Sequence, residues 1–159
     1  MRRLSKLVLV TSLLAAIVVT AAIAAIRMPD REALATPGTM VTVYKNETCD
    51  CCSAYIEQLE VHGYEVEVVV MEDVSGVKDE WGVPEGKRSC HTSVIGDYFV
   101  EGHVPLKAVK KLLDEQPDVA GITLPGMPIG APGMPGIKTE SLVVLAVTEE
   151  GDTTEFATY

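Results

Sequence analysis

The chain has 159 residues, of which 47% are hydrophobic, 23% charged and 5% aromatic. That composition excludes an intrinsically disordered chain, and the length fits one ordinary globular domain. Thirteen Lys and Arg against 23 Asp and Glu give a net charge of −10. Four of the basic residues (Arg2, Arg3, Lys6, Arg27) flank an apolar run near the N-terminus, so everything after Met28 carries −14. A body that acidic repels phosphate backbones, which argues against a nucleic-acid partner and leaves cation binding unopposed.

The apolar run comes first in the chain. The basic stretch Met1–Lys6 precedes Leu7–Ile26, in which Thr11, Ser12 and Thr20 are the polar residues. At a helical rise of ~1.5 Å per residue this hydrophobic helix matches a ~30 Å hydrocarbon core. A secretory signal has a shorter apolar core of ~7–15 residues, which favours a retained anchor. Small-residue cleavage sites at Ala22-Ile-Ala24 and Ala33-Leu-Ala35 keep a cleaved signal open as well. In either case the basic end stays in the cytoplasm and the rest is exported. The expected organisation is a signal peptide or membrane anchor over 1–27, a linker over 28–39 and a folded domain over 40–159. The location is extracytoplasmic, periplasmic or at the cell surface, with the N-terminus in or through the membrane.

Beyond the linker, Met40–Tyr44 is β-branched and reads as a strand. Lys45–Asp50 is a polar loop. From about Cys51 to His62 the apolar positions Tyr55, Ile56 and Leu59 recur at helical spacing, and Gly63 is a natural stop. Tyr64–Met71 alternates Val66, Val68 and Val70 with Glu65 and Glu67, a second strand. Asp73–Trp81 suits a short helix ended by Gly82 and Pro84. Thr92–Ile95 and Tyr98–Glu101 flank the hairpin turn Gly96-Asp97. Pro105–Glu115 is a helix with Leu106, Val109, Leu112 and Leu113 on one face. Leu124–Gly136 is a Pro/Gly/Met loop, and Ser141–Thr148 with Thr153–Thr158 form a last hairpin. A strand leading to a cysteine-bearing helix start, then a second strand, is the thioredoxin-like pattern: an α/β sheet with flanking helices.

All four cysteines lie in the exported body: Cys49, Cys51, Cys52 and Cys90. Two structural disulfides are the plainest reading of an even count outside the cytoplasm. Spacing argues against it, since adjacent cysteines bridge only under strain and three within one turn staple little to the rest of the fold. Cys49 and Cys52 form a C-x-x-C pair at a helix start, where the dipole and free amides stabilise thiolate. The extra Cys51 departs from an ordinary dithiol oxidoreductase, and three thiolates in one turn suit a soft metal, bridging several ions. Cys90-His91 precedes the third strand, which in a thioredoxin-like fold packs beside the C-x-x-C helix start. His91 is a candidate ligand through that neighbourhood, and His103 in Glu101-Gly-His-Val-Pro105 is a second. His62, late in its helix before Gly63, reads as a C-terminal cap instead.

Met127 and Met134 sit in the near-repeats Pro125-Gly-Met-Pro128 and Pro132-Gly-Met-Pro135. Thioether, thiolate and imidazole together select Cu(I), whereas zinc would leave the methionines idle.

Four segments, Thr48-Cys-Asp-Cys-Cys52, Ser89-Cys-His-Thr92, Glu101-Gly-His-Val-Pro105 and Leu124–Met134, resemble in order and spacing the CopG-like copper-resistance proteins, a family first catalogued as a domain of unknown function. The resemblance spans about residues 40–159. It implies a thioredoxin-like fold, an extracytoplasmic location and a copper cluster bridged by cysteines of the C-x-C-C motif. Carried over by motif, the metal ligands are Cys49, Cys51, Cys52, Cys90, His91, His103, Met127 and Met134. It also implies a role in copper tolerance or trafficking, with copper redox activity and a copper chaperone or exporter as partner. The alternative from the residues alone is a thiol–disulfide oxidoreductase using Cys49/Cys52. Whether the chain is an enzyme, copper-dependent or dithiol, stays open at this stage.

Overall fold

The computed structural model describes Ala35, Thr36 and residues 38–159. The hydrophobic helix expected over residues 7–26, and with it the choice between anchor and signal, lies outside the described residues. Among the described residues no helix is long and apolar enough to cross a membrane. Within the stretch read as a linker, Ala35 is buried and its amide donates to the His62 carbonyl at 3.2 Å.

The elements follow in the order β1 (Met40–Lys45), α1 (Asp50–Val61), β2 (Glu65–Val70), α2 (Ser75–Glu80), a 3-10 turn (Glu85–Lys87), β3 (Thr92–Ile95), β4 (Tyr98–Glu101), α3 (Leu106–Glu115), β5 (Gly121–Thr123), β6 (Val143–Val147) and β7 (Thr153–Thr158). The strands form one mixed seven-stranded sheet in the order β2-β1-β3-β4-β5-β6-β7. β1 runs parallel to β2 and β4 parallel to β5; the other neighbours are antiparallel. The α/β class expected from the sequence is therefore the one observed.

Side-chain alternation along the strands gives the sheet two apolar faces. Val41, Val43, Val100 and Ile122 pack with Tyr55 and Leu59 of α1 and Leu106, Val109 and Leu112 of α3. Val83, Phe99, Ala120 and Val147 form a smaller cluster, with Trp81 laid against it. α3 starts after Pro105 and stops at Gln116, whose left-handed φ of 45° turns the chain into Pro117.

Two features depart from the sequence expectation. The 3-10 turn Glu85–Lys87 lies in a stretch with no assigned structure. The other is the strand β5, which at three residues, Gly121-Ile-Thr, is too short for any alternation to stand out. Its glycine is required by packing: a Cβ at Gly121 would collide with the Phe99 carbonyl oxygen. β5 thereby joins the first four strands to the C-terminal hairpin.

One buried ion pair fixes the junction where β3 begins. Lys78 of α2 reaches Glu101 at the end of β4, Nζ to Oε1 2.6 Å, with both side chains almost fully shielded. Thr92 donates its hydroxyl to Glu101 Oε2 at 2.6 Å and accepts from Lys78 Nζ at 3.0 Å. The Ser89 amide donates to Glu101 Oε1 as well. A buried charge is tolerable only when its partners are all in place. Glu101→Gln removes one partner and leaves the Lys78 ammonium uncompensated, so we expect a loss of about 3–5 kcal/mol in urea unfolding of the metal-free protein. The double variant Lys78→Met/Glu101→Leu should recover part of that loss, and a cost below about 1 kcal/mol for Glu101→Gln would show that the pair does not hold the junction.

Candidate metal centre

α1 begins at the sulfur cluster. Cys49 is its N-cap residue and makes no side-chain cap bond, while Cys51 and Cys52 lie in its first turn. Cys52 is buried on the face that continues through Tyr55 and Leu59, and Cys51 is half-exposed. Cys49 and Cys52 are joined by a disulfide, with their Cα atoms 5.3 Å apart. Cys51 Sγ lies 3.5 Å from Cys49 Sγ, and Cys51 and Cys90 are unbridged.

Cys90 comes from the loop before β3. The sulfurs of Cys49, Cys51, Cys52 and Cys90 all lie within 4.8 Å of one another. Cys90 Sγ is in turn 3.3 Å from His91 Nδ1 and 3.2 Å from His103 Nε2, which makes it the hinge between a sulfur group and an imidazole group. Both histidines are fully buried. His103 donates from Nδ1 to the Pro132 carbonyl at 2.7 Å, which leaves the Nε2 lone pair aimed at Cys90. A backbone acceptor that fixes the tautomer in this way is the usual support of a metal-ligating histidine. His91 Nε2 is buried with no hydrogen-bond partner, a polar atom left without the contact that burial normally demands. The Tyr55 ring packs on both imidazoles, with centroids at 4.9 Å from His91 and 5.6 Å from His103, and its hydroxyl donates to the Val104 carbonyl at 2.9 Å.

The electrostatics favour neutral donors. Burial, then the neighbouring His103, Lys78 and Lys45, pull the His91 pKa down to about 3. Burial also lowers that of His103. Both imidazoles therefore keep free lone pairs at neutral pH. Burial and the nearby Cys51 push the Cys90 thiol up to about 11, so without a metal it holds its proton. Lys45, buried at the end of β1, donates to Ser53 Oγ at 3.1 Å on the first turns of α1.

The Pro/Gly/Met loop closes over this end of the sheet. Ser89 Oγ donates to the Gly126 carbonyl at 2.6 Å, and the His103–Pro132 bond ties the loop a second time. Gly133 then touches α1: a Cβ there would lie 2.7 Å from the Tyr55 amide nitrogen and 2.9 Å from the Cys51 carbonyl oxygen. Its φ of +78° favours glycine independently. Met134, next along, is half-buried against the core that contains Tyr55. Met127 follows Gly126 and is 55% exposed.

The structure thus gathers Cys49, Cys51, Cys52, Cys90, His91 and His103 at one end of α1, and sets Met127 and Met134 in the loop beside them. His62 is the C-cap of α1, with Nδ1 donating to the Gln58 carbonyl at 2.7 Å, as its position suggested. Sequence reasoning missed the supports: Glu101, Lys78, Lys45 and Tyr55. A lone acid ending the apolar run Tyr98-Phe-Val was the one available signal for Glu101. The donor set fits a thiophilic metal, with the reduced Cys49–Cys52 pair supplying two of its thiolates. Reduction of that bridge is therefore a condition for using all four sulfurs.

The fold and this cluster define an α/β protein with a soft-donor centre able to hold a metal ion. A family profile described as "Protein of unknown function, DUF411" matches residues 87–134. No curated protein matches the chain at a significant level. Two solved structures, of copper resistance protein CopG in form 1 and form 2, each match at 40% identity with a TM-score of 0.72, over 77% of this chain and 98% of theirs. The chain belongs to the CopG-like copper-resistance family.

The raised Cys90 pKa has a direct readout. Only thiolate alkylates, and at neutral pH the thiolate fraction of a group with a pKa of about 11 is very small. Iodoacetamide labelling of Cys90 in the metal-free protein, followed by peptide mass, should rise about tenfold per pH unit from pH 7 to 10. A rate already level above pH 9 would mean an unshielded thiol.

Proposed function

We propose that this chain is an extracytoplasmic copper-binding protein that holds Cu(I), in more than one copy, for copper tolerance or trafficking. Its ligands are Cys49, Cys51, Cys52 and Cys90, with His91 and His103 beside them and Met127 and Met134 in support. The observation that carries this reading is the convergence of four sulfurs within 4.8 Å, with Cys90 shared between them and two buried neutral imidazoles. Thiolate-rich sites with imidazole and thioether neighbours suit Cu(I), and sulfurs this close can bridge adjacent ions. Family membership supports copper over zinc, as the related structures are those of a copper resistance protein. The strand order β2-β1-β3-β4 with α1 between β1 and β2 supports reading the first part of the domain as thioredoxin-like.

Metal content of the full chain, purified in detergent without oxygen after growth with copper and zinc together, tests the metal. We expect several coppers per chain and little zinc, with most of the copper lost in Cys49→Ser and in Cys51→Ser. One zinc per chain, or copper retained in both variants, overturns the reading. Location is tested separately: alkaline phosphatase fused to the C-terminus should be active, because that enzyme folds only where disulfides form. An inactive, intact fusion would put the domain in the cytoplasm.

The bridged Cys49–Cys52 pair at the N-terminus of α1 favours a second reading, a thiol–disulfide oxidoreductase. The two separate in an insulin-reduction assay. The copper reading expects no turnover by the metal-free chain, and the dithiol reading expects turnover that Cys49→Ser abolishes.

A further inference from the structure

The oxidised state of the cluster is more than the loss of one thiol pair. With Cys49 and Cys52 bridged, Cys51 and Cys90 are left as two free, half-buried thiols whose sulfurs lie within 4.8 Å. They come from different elements, the first turn of α1 and the loop before β3, so neither is held away from the other by its own local backbone. We propose that Cys51 and Cys90 form a second disulfide, and that the chain is a two-step thiol switch with fully reduced, singly bridged and doubly bridged states.

The pairing follows by elimination. Among the ways to pair four cysteines, one requires the adjacent Cys51 and Cys52 to bond, which strains the peptide between them. A second requires the Cys49–Cys52 bridge to be broken and replaced by one between Cys49 and Cys51, two residues apart, with Cys52 bonding Cys90. The third keeps the bridge already present and joins Cys51 to Cys90. The sulfur gap to be closed to bonding distance is at most 4.8 Å.

The oxidant is a low-molecular-weight disulfide of the glutathione type, RSSR. Cys51, half-exposed in the first turn of α1, attacks as its thiolate one sulfur of RSSR, forming a mixed disulfide and releasing one thiolate. Cys90 then gives up its proton and attacks the Cys51 sulfur, and the second RS⁻ leaves. Two protein thiols have lost two electrons, RSSR has gained them, and the two protons end on two RSH. In the doubly bridged state no thiolate remains, and the donors left are imidazole and thioether. The bridge itself does not depend on the copper reading; only the identity of the metal this state would shed does.

The test reads the bonds directly in metal-free full chain. The protein is stripped with chelator, equilibrated without oxygen in glutathione buffers of rising potential, acid-quenched and labelled with maleimide. Free thiols per chain should fall from four to two and then to zero, and a non-reducing peptide map should contain a cross-link between the Cys51 and Cys90 peptides. Cys90→Ser should keep the Cys49–Cys52 bridge and leave Cys51 as a glutathione adduct at oxidising potentials, since no protein thiol remains to displace the glutathione. A count that stops at two, glutathione adducts retained on Cys51 or Cys90 of the parent chain, or a cross-link with any other pairing overturns the proposal. Because copper is absent throughout, these outcomes are independent of whether the metal assignment holds.

Discussion

The sulfur cluster depends on a carboxylate that never touches it. Glu101 takes hydrogen bonds from the Ser89 amide, the Thr92 hydroxyl and the Lys78 ammonium, all in a place shut off from water. Ser89 and Thr92 bracket Cys90 and His91, so one buried anion sets both ends of the segment that faces α1. Desolvating a carboxylate is so unfavourable that any loosening of those donors has a steep penalty. The stiffness of that arrangement lets Cys90 present its sulfur to two other elements at once, α1 and the His103 turn. It also places the cluster on the opposite side of β3 from its own support. Alternation along the strand sends Thr92 toward α2 and His91 toward α1.

Much of this was legible in the order of the residues. Alternation in the β2 valines and the helical spacing of Tyr55 and Leu59 gave the elements, because local periodicity is set by the local backbone. The candidate ligands were legible for a chemical reason: cysteine and histidine are scarce, and three cysteines in one turn have few plain uses. The supports were not legible. Lys78 and Glu101 are ordinary charged residues, far apart in the chain, and only the folded topology makes them partners. β5 was missed for a related reason. Its case rests on Gly121 fitting under the Phe99 carbonyl, a contact that propensity does not encode. The pairing of Cys49 with Cys52 was visible as a C-x-x-C spacing, while the bridge between them was not expected. That Cys51 and Cys90 remain as a facing pair depends on the position of β3 beside β1.

The Pro/Gly/Met loop shows how a segment poor in apolar side chains can be ordered without a core of its own. Prolines supply carbonyl acceptors and no amides, so the loop needs donors from elsewhere. Ser89 and His103 provide them, and Gly133 lets the backbone lie directly on α1. The stiff turns limit the entropy lost in holding it there. A methionine-bearing flap is thereby fixed by the same histidine that faces Cys90.

The distance in sequence between Cys51 and Cys90 has a consequence for durability. Any tie across that gap, ionic or covalent, closes a long stretch of chain that includes β2, α2 and the 3-10 turn. In the chain-entropy view, closing a loop of that size removes freedom from the unfolded state worth about 4 kcal/mol. A ligand bound only by the folded form adds to this by mass action. The occupancy of one small cluster is then written into the resistance of the whole domain to proteases. In a compartment where misfolded chains are destroyed, the lifetime of the protein would itself report whether its sulfurs are in use.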